Sequence, residues 1–118
     1  MVEKLRIFQK VYDLTQWAMN HTQRFPKSHR FSLGLRIENT LLDILEAIIE
    51  ANIQRDKIKT LQTIDKKLNS LRILFRLSNS LHFLATNSYE YACKETDEIG
   101  KLLGGWIKQQ TAQKGDKS

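Results

Sequence analysis

The chain has 118 residues, of which 41% are hydrophobic, and a formal net charge of +6. This length provides one domain with one core, and the positive charge favours acidic partners such as nucleic acid, an acidic protein face or an anionic membrane surface. One proline and a predominance of Leu and Ile among the apolar residues indicate helices rather than strands. A single cysteine excludes an internal disulfide and a cysteine metal cluster.

The first predicted helix runs from Glu3 to Thr22, because apolar residues recur there at three- and four-residue spacing. Its main apolar face comprises Leu5, Phe8, Tyr12, Thr15 and Met19, and a second stripe beside it comprises Ile7, Val11, Leu14 and Ala18. Pro26 cannot continue a helix and biases the residue before it away from helical angles. The first connection is therefore expected at residues 23–31.

The second predicted helix begins at Ser32, a residue type that is favoured as an N-cap. Its core stripe contains only apolar residues: Leu33, Ile37, Leu41, Ile44, Ile48 and Ala51. A polar connection is expected at residues 52–56.

The third predicted helix runs from Lys57 to Leu84, with a core stripe of Leu61, Ile64, Leu68, Leu71, Phe75 and Leu81. Asn87 and Ser88 are expected to form a turn and a cap. The fourth helix then runs from Tyr89 to about Gln110, with Ala92, Ile99, Leu103 and Trp106 on its apolar face.

Four helices of this length, joined by short connections, predict an all-α protein with an up-down-up-down four-helix bundle. The bundle domain is expected to cover residues 1–111. Residues 112–118 carry nothing to bury and are expected to form a disordered polar tail.

The beginning of the chain carries charges at helical spacing where a signal peptide would be apolar. No apolar run approaches the roughly 18 residues that span a bilayer. These features predict a cytoplasmic protein.

The sequence offers no pattern typical of catalysis. Helical bundles that hold two metal ions use a Glu three residues before a His, and none of the three histidines has one. Cys93 has no histidine within one helical turn. We therefore predict neither enzyme activity nor a metal or other cofactor. A magnesium-dependent nuclease that uses Asp43, Glu46 and Glu50 is the enzymatic alternative, although a solvated or ion-paired face is the simpler interpretation of these carboxylates.

Basic side chains form three groups that could bind an anionic partner. The first is a corner around Pro26 with Arg36 one turn further on, the second is an arginine pair inside an apolar stretch, and the third is a set of lysines spaced by seven. The candidate partner- and RNA-binding residues are Arg24, Lys27, His29, Arg30 and Arg36, then Arg72 and Arg76, then Lys94, Lys101 and Lys108.

Structural roles compete with these interpretations. Arg72 and Arg76 could pair with the acidic face of a neighbouring helix, and the lysines could serve solubility, with Lys101 paired to Asp97. Gly100 and Gly104 could let another helix approach closely, or Gly104 could instead end its helix.

Four sequence blocks resemble the accessory variability determinant (Avd) proteins of diversity-generating retroelements. The two longest blocks are Arg30-Phe31-Ser32-Leu33-Gly34-x-Arg36-Ile37-Glu38 and Asp97-Glu98-Ile99-Gly100-x-Leu102-Leu103-Gly104-Gly105-Trp106. The two shorter blocks are Ala51-x-x-x-Arg55-Asp56-Lys57 and Leu71-Arg72-x-Leu74-x-Arg76-Leu77. The similarity extends from about residue 8 to residue 108.

The resemblance implies a four-helix bundle that assembles into a homopentameric ring with a basic surface. It implies a non-catalytic protein that binds the reverse transcriptase of the retroelement and helps it to use template-repeat RNA for mutagenic cDNA synthesis. Arg30, Arg36, Arg72 and Arg76 lie inside the matching blocks, so the resemblance implies a binding role for them. The other basic candidates depend on charge and spacing alone.

Two further hypotheses are consistent with the sequence. The wider bundle family includes proteins encoded in intervening sequences of large-subunit ribosomal RNA genes, so a ribosome- or rRNA-associated bundle is one alternative. A structural oligomer without a nucleic-acid role is the other. Apolar side chains beyond the needs of a single bundle would favour self-association: Ile7, Trp17, Leu42, Ile49 and Ile73.

Overall fold

The computed structural model describes residues 2–116 of the chain, with side chains described for residues 4–115. All regular structure in that part is helical. The elements are α1 (Val2–Thr22), α2 (Lys27–His29), a π-helical turn (Arg30–Gly34), α3 (Leu35–Ile53), α4 (Ile58–Ser80) and α5 (Thr86–Asp116). The prediction of an all-α protein with four long helices is confirmed.

The four long helices lie side by side, with α1 and α4 each packed against both α3 and α5. Contacts between α1 and α5 show that these two helices run in opposite directions. The ammonium of Lys4 lies 5.6 Å from the centre of the Trp106 ring, and the Trp17 ring lies 5.1 Å from that of Tyr91. The arrangement agrees with the up-down-up-down order expected from the sequence, in an elongated body of 53 × 23 × 20 Å.

The core is formed by one apolar stripe from each long helix. The stripes predicted for the last three helices are buried almost throughout, from Ile37 to Ala51, from Leu61 to Phe75 and from Ala92 to Trp106. There are two exceptions. Leu33, in the π-helical turn, is only half-buried, and Leu81 lies beyond the end of α4 and is exposed. Burying these side chains is the main driving force for folding of the domain.

The predicted main face of α1 is wrong. The buried residues are those of the second stripe, Ile7, Val11, Leu14 and Ala18, together with Thr15. Leu5, Tyr12 and Met19 are exposed. The two stripes lie next to each other on the helix and are similarly apolar, so the rotation of α1 is decided by its packing against α3 and α5 and not by the periodicity of its own sequence.

The first connection is shorter than predicted, and Ser32 is not a helix N-cap. Pro26, with φ −51° and ψ 140°, precedes the first helical turn, and its carbonyl accepts hydrogen bonds from the amides of His29 at 2.8 Å and Arg30 at 3.0 Å. Proline suits this position because it has no amide hydrogen to satisfy. The chain then remains helical through the π-helical turn to Ile53. Gly34 in this turn is buried. A Cβ atom added to it would lie 3.4 Å from the Cβ of Thr22, so the turn passes close to α1.

The connection between α4 and α5 lies earlier in the chain than predicted. The third helix ends at Ser80, not Leu84, and α5 begins at Thr86, so Asn87 and Ser88 are inside a helix. His82 has a φ of 65°, and the amide of Phe83 donates to the carbonyl of Ser78 at 2.9 Å. A left-handed residue after a helix is usually Gly or Asn, so the sequence carried no signal for this turn.

The last helix extends beyond the predicted end of the domain. Residues 112–116, expected to be a disordered tail, continue α5 to Asp116, whereas residues 117–118 lie outside the described part of the chain. Adding turns to an existing helix needs no new nucleation, so a polar segment can remain helical there. Lys114 also lies 3.5 Å from Asp56 at the connection between α3 and α4.

Candidate functional site

An outward face of α4 combines basic and apolar side chains. Arg72 and Arg76 lie on one side of this face, and Ile73 and Leu77 lie between them and α3. Ile73 is 67% exposed and Leu77 is 45% exposed, although both belong to a strongly apolar segment. They are exposed because the opposite side of the same turns, at Leu71 and Phe75, already fills the core. We call Arg72, Ile73, Arg76 and Leu77, together with Arg36, the arginine face.

Ile73 is the ridge between two grooves. The groove between α3 and α4 has a volume of about 430 Å³ and is lined in part by Arg36, Asp43, Lys67 and Ile73. The groove between α4 and α5 has a volume of about 240 Å³ and is lined by Arg72, Ile73, Arg76, Tyr89, Cys93 and Asp97. The structure therefore places Arg36 of α3 on the same surface as the arginine pair of α4.

Arg72 is held at the edge of the second groove. Its Nη1 donates to Asn69 Oδ1 at 2.7 Å, and its Nε lies 3.5 Å from Asp97 Oδ1 on α5. The alternative that Arg72 pairs with the acidic face of α3 is therefore wrong. On that face, Asp43 contacts Lys67 at 3.3 Å. One helix cannot present the same side to both of its neighbours, and Arg72 is turned towards α5.

Tyr89 and Cys93 contribute the α5 side of the groove between α4 and α5. A hydrogen bond with Cys93, assisted by burial, raises the pKa of the Tyr89 hydroxyl, and the positive charge of Arg76 opposes this rise. Tyr89 therefore remains a neutral hydroxyl at physiological pH beside the arginine pair. Beside this neutral hydroxyl, the guanidinium groups can donate hydrogen bonds to a phosphate or a carboxylate.

The basic corner lies at one end of the helices. Arg24, Lys27, His29 and Arg30 are all exposed. The His29 ring lies 4.9 Å from the Phe83 ring of the α4–α5 turn, and Arg30 Nη2 donates to the carbonyl of Phe25 at 3.5 Å. Two of the four side chains thus also support the local structure.

The lysines of α5 are exposed as predicted from their spacing: Lys94, Lys101 and Lys108. Lys101 lines a groove with Arg6, Lys10, Glu98 and Leu102. Asp97, the residue considered as its partner, lies instead beside Arg72.

Lys10 of α1 was missed by the sequence reasoning. Its ammonium is hydrogen-bonded to Glu98 and lies 3.4 Å from Glu95. Arg6 and Lys10 are four residues apart, and this i, i+4 spacing is the only signal that could have placed them on one face. The α1–α5 groove is therefore of mixed charge, unlike the arginine face.

Within the part of the chain that the structure describes, no group of three or more His, Cys, Asp or Glu side chains could hold a metal ion. Two of the carboxylates considered for a magnesium site contact other side chains. Asp43 forms an ion pair with Lys67, and Glu50 accepts a hydrogen bond from Gln54 at 3.0 Å. Among the described helices, none is both long and apolar enough to cross a membrane.

These observations define a class: a small, basic, all-α protein whose distinctive surface is an arginine face. The family model of the bAvd-like proteins matches this chain over residues 5–110. The chain therefore belongs to the bAvd-like family, the Avd proteins of diversity-generating retroelements, which confirms the resemblance noted in its sequence blocks. A comparison with curated proteins gave no match.

Proposed function

We propose that this protein is a non-catalytic accessory factor of a diversity-generating retroelement. It binds the reverse transcriptase of the element and, through its basic surface, template-repeat RNA, and so supports mutagenic cDNA synthesis in the cytoplasm. The observation that carries this proposal is the family match over residues 5–110.

The arginine face supports the proposal physically. Protein interfaces are enriched in arginine and in apolar side chains at their centres, and Ile73 provides such an apolar centre between Arg36 and the α4 arginines. Guanidinium groups bind both carboxylates and phosphates through paired hydrogen bonds. The face therefore fits an acidic protein surface, an RNA backbone, or both in succession.

Self-association into a homopentameric ring belongs to the same proposal. Of the apolar side chains expected to be spare, Ile49 and Ile73 are exposed, whereas Ile7 is fully buried and Trp17 and Leu42 are half-buried. Ile53 is 84% exposed and extends the apolar surface of α3 beyond Ile49. Exposed apolar side chains of this kind favour contacts between copies, which close into a ring when the contacting faces differ.

The test is co-purification of this protein with the reverse transcriptase of its retroelement, with and without ribonuclease, followed by light scattering for the mass of the complex. We expect a nuclease-resistant complex that contains several copies of this chain per polymerase. Absence of association in both conditions would reject the accessory function. A complex that disappears with ribonuclease would show that RNA bridges the two proteins.

A further inference from the structure

Gly100 of α5 lies directly against the guanidinium of Arg72. A Cβ atom at this position would be 2.8 Å from Arg72 Nη2 and 3.6 Å from Leu68 Cδ2. Real Cβ atoms do not approach a nitrogen so closely, so with a side chain at position 100 the end of the Arg72 side chain would have to move away from its observed position. The backbone gives no reason for glycine, because Gly100 lies inside a regular helix and no described glycine has a positive φ.

The neighbouring glycines of the same helix behave differently. A Cβ added at Gly104 or at Gly105 would meet nothing within 4 Å. Neither a close helix approach nor a helix end explains the pair, because both residues are exposed and α5 continues past them. The space occupied by the Arg72 guanidinium therefore distinguishes Gly100 from these two glycines.

Arg72 is restrained on several sides in this position. Asn69 accepts a hydrogen bond from Nη1, Asp97 lies beside Nε, and the gap left by Gly100 receives Nη2. The Arg72 side chain is still 35% exposed to solvent, so it remains accessible to a partner. A long side chain that is ordered before binding loses less conformational entropy when the partner arrives.

From this geometry we infer that Gly100 is a positioning residue for Arg72. The absence of a side chain at position 100 lets the guanidinium lie against α5 beside Asp97, in a fixed orientation towards the anionic group of the partner. This inference rests on the proposed function, since it assumes that the arginine face binds the reverse transcriptase. Gly100 itself makes no contact with the partner in this scheme.

The test is a double-mutant cycle on the affinity for the purified reverse transcriptase, with Gly100→Ala made in the wild type and in an Arg72→Ala background. We expect Gly100→Ala to weaken binding about three- to tenfold in the wild type, the cost of one side chain that must be ordered on binding. In the Arg72→Ala background it should have no effect, because the group that it displaces is gone. Gly104→Ala, which adds a methyl group to open space on the same helix, is the matched control and should not change the affinity.

The double-mutant cycle distinguishes the positioning role of Gly100 from the binding role of Arg72. If Arg72→Ala weakens binding but Gly100→Ala acts equally in both backgrounds, or not at all, the positioning role is wrong and the arginine face stands. If Arg72→Ala leaves the affinity unchanged, Arg72 does not bind the partner, and the positioning role of Gly100 in binding is rejected as well.

A second measurement needs no partner. The Nε–Hε resonance of Arg72 in an NMR spectrum of the protein should be distinct in the wild type and in Gly104→Ala. In Gly100→Ala it should move to the averaged position of exposed arginines. An unchanged resonance in Gly100→Ala, with a folded protein, would overturn the inference.

Discussion

The hydroxyl of Thr22 donates a hydrogen bond to Glu38 Oε2 and so joins the last turn of α1 to the first turn of α3. Thr22 is almost fully buried and Glu38 is half-buried. A hydrogen bond to a charged group contributes about 1.5–3 kcal/mol, and its loss leaves the carboxylate poorly solvated. We expect Thr22→Val to lower the free energy of unfolding by about 1–3 kcal/mol in urea titrations. Thr22→Ser, which keeps the hydroxyl, should lose clearly less; equal losses would show that the hydrogen bond is not the cause.

Trp106 provides a test of the core. It is 2% exposed, and within the described part of the chain its indole Nε1 has no hydrogen-bond partner. Since this N–H group gains no hydrogen bond in the folded state, Trp106→Phe should lose only the contacts of the larger ring and cost about 1–2 kcal/mol of unfolding free energy. Trp106→Ala should cost about 3–5 kcal/mol, because it leaves a cavity. A Trp106→Phe variant as unstable as Trp106→Ala would indicate that the N–H group does have a partner.

Lys57 caps the C-terminal end of α3. Its ammonium donates to the carbonyl of Ala51 at 2.8 Å and also to that of Gln54. Positive groups at this end of a helix satisfy its last carbonyls and interact favourably with its dipole. We expect Lys57→Met to lower the unfolding free energy by about 1–2 kcal/mol. Lys59→Met, at an exposed position two residues on, should stay within about 0.5 kcal/mol of the wild type, and a loss as large as that of Lys57→Met would contradict the capping role.

The contact between Lys10 and Glu98 predicts how stability depends on pH. The hydrogen bond from Lys10 lowers the pKa of Glu98 below its ordinary value of 4.5, and this effect outweighs the opposing effect of burial. The unfolded chain therefore binds more protons than the folded one in acid, so this contribution is present above about pH 4.5 and is lost as the pH falls through the lowered pKa. The same hydrogen bond, with the charges of Glu95 and Glu98, raises the pKa of Lys10 above 10.5. That contribution is present below pH 10.5 and is lost as the pH rises through the raised pKa.

Unfolding free energies measured from pH 3 to pH 11 should therefore decline at both ends, and Lys10→Met should make both declines shallower. Lys66→Met is the control, because Lys66 is exposed on α4, far from this contact along the chain. Identical pH profiles for Lys10→Met and the control would contradict the assignment.

Charge reversal tests the arginine face directly. The double variant Arg72→Glu/Arg76→Glu should lose binding to the reverse transcriptase, by at least about 100-fold, because each substitution replaces attraction with repulsion. Lys59→Glu/Lys66→Glu changes the net charge by the same amount on the same helix, away from the arginine pair, and should retain most of the affinity. Far-UV circular dichroism should show the same helicity for both variants. Full binding by a folded Arg72→Glu/Arg76→Glu variant would place the partner site elsewhere.

The basic residues proposed from the sequence were sorted by the structure into three surfaces. Arg36 had been grouped with the corner around Pro26, but it lines the groove next to Ile73. The partner of Arg72 could not be chosen in advance, because α3 and α5 both carry carboxylates, and the sequence does not show which of them Arg72 faces. The fit between Gly100 and Arg72 joins residues 28 positions apart in the chain, so only the packing of α4 on α5 reveals it.

The sequence by itself determined the number of long helices and most of the core stripes of the last three, because Leu and Ile recur there with the period of a helix. It also identified the family, since the matching blocks are local strings of residues. Tertiary structure decided the rotation of α1, where two apolar stripes of similar size lie side by side. It decided the turn at His82, whose left-handed backbone is set by the packing of its neighbours and not by its own preference. Tertiary structure also decided the orientation of the arginine face, because whether a side chain on a helix faces the core, a neighbouring helix or solvent depends on where the neighbouring helices pack.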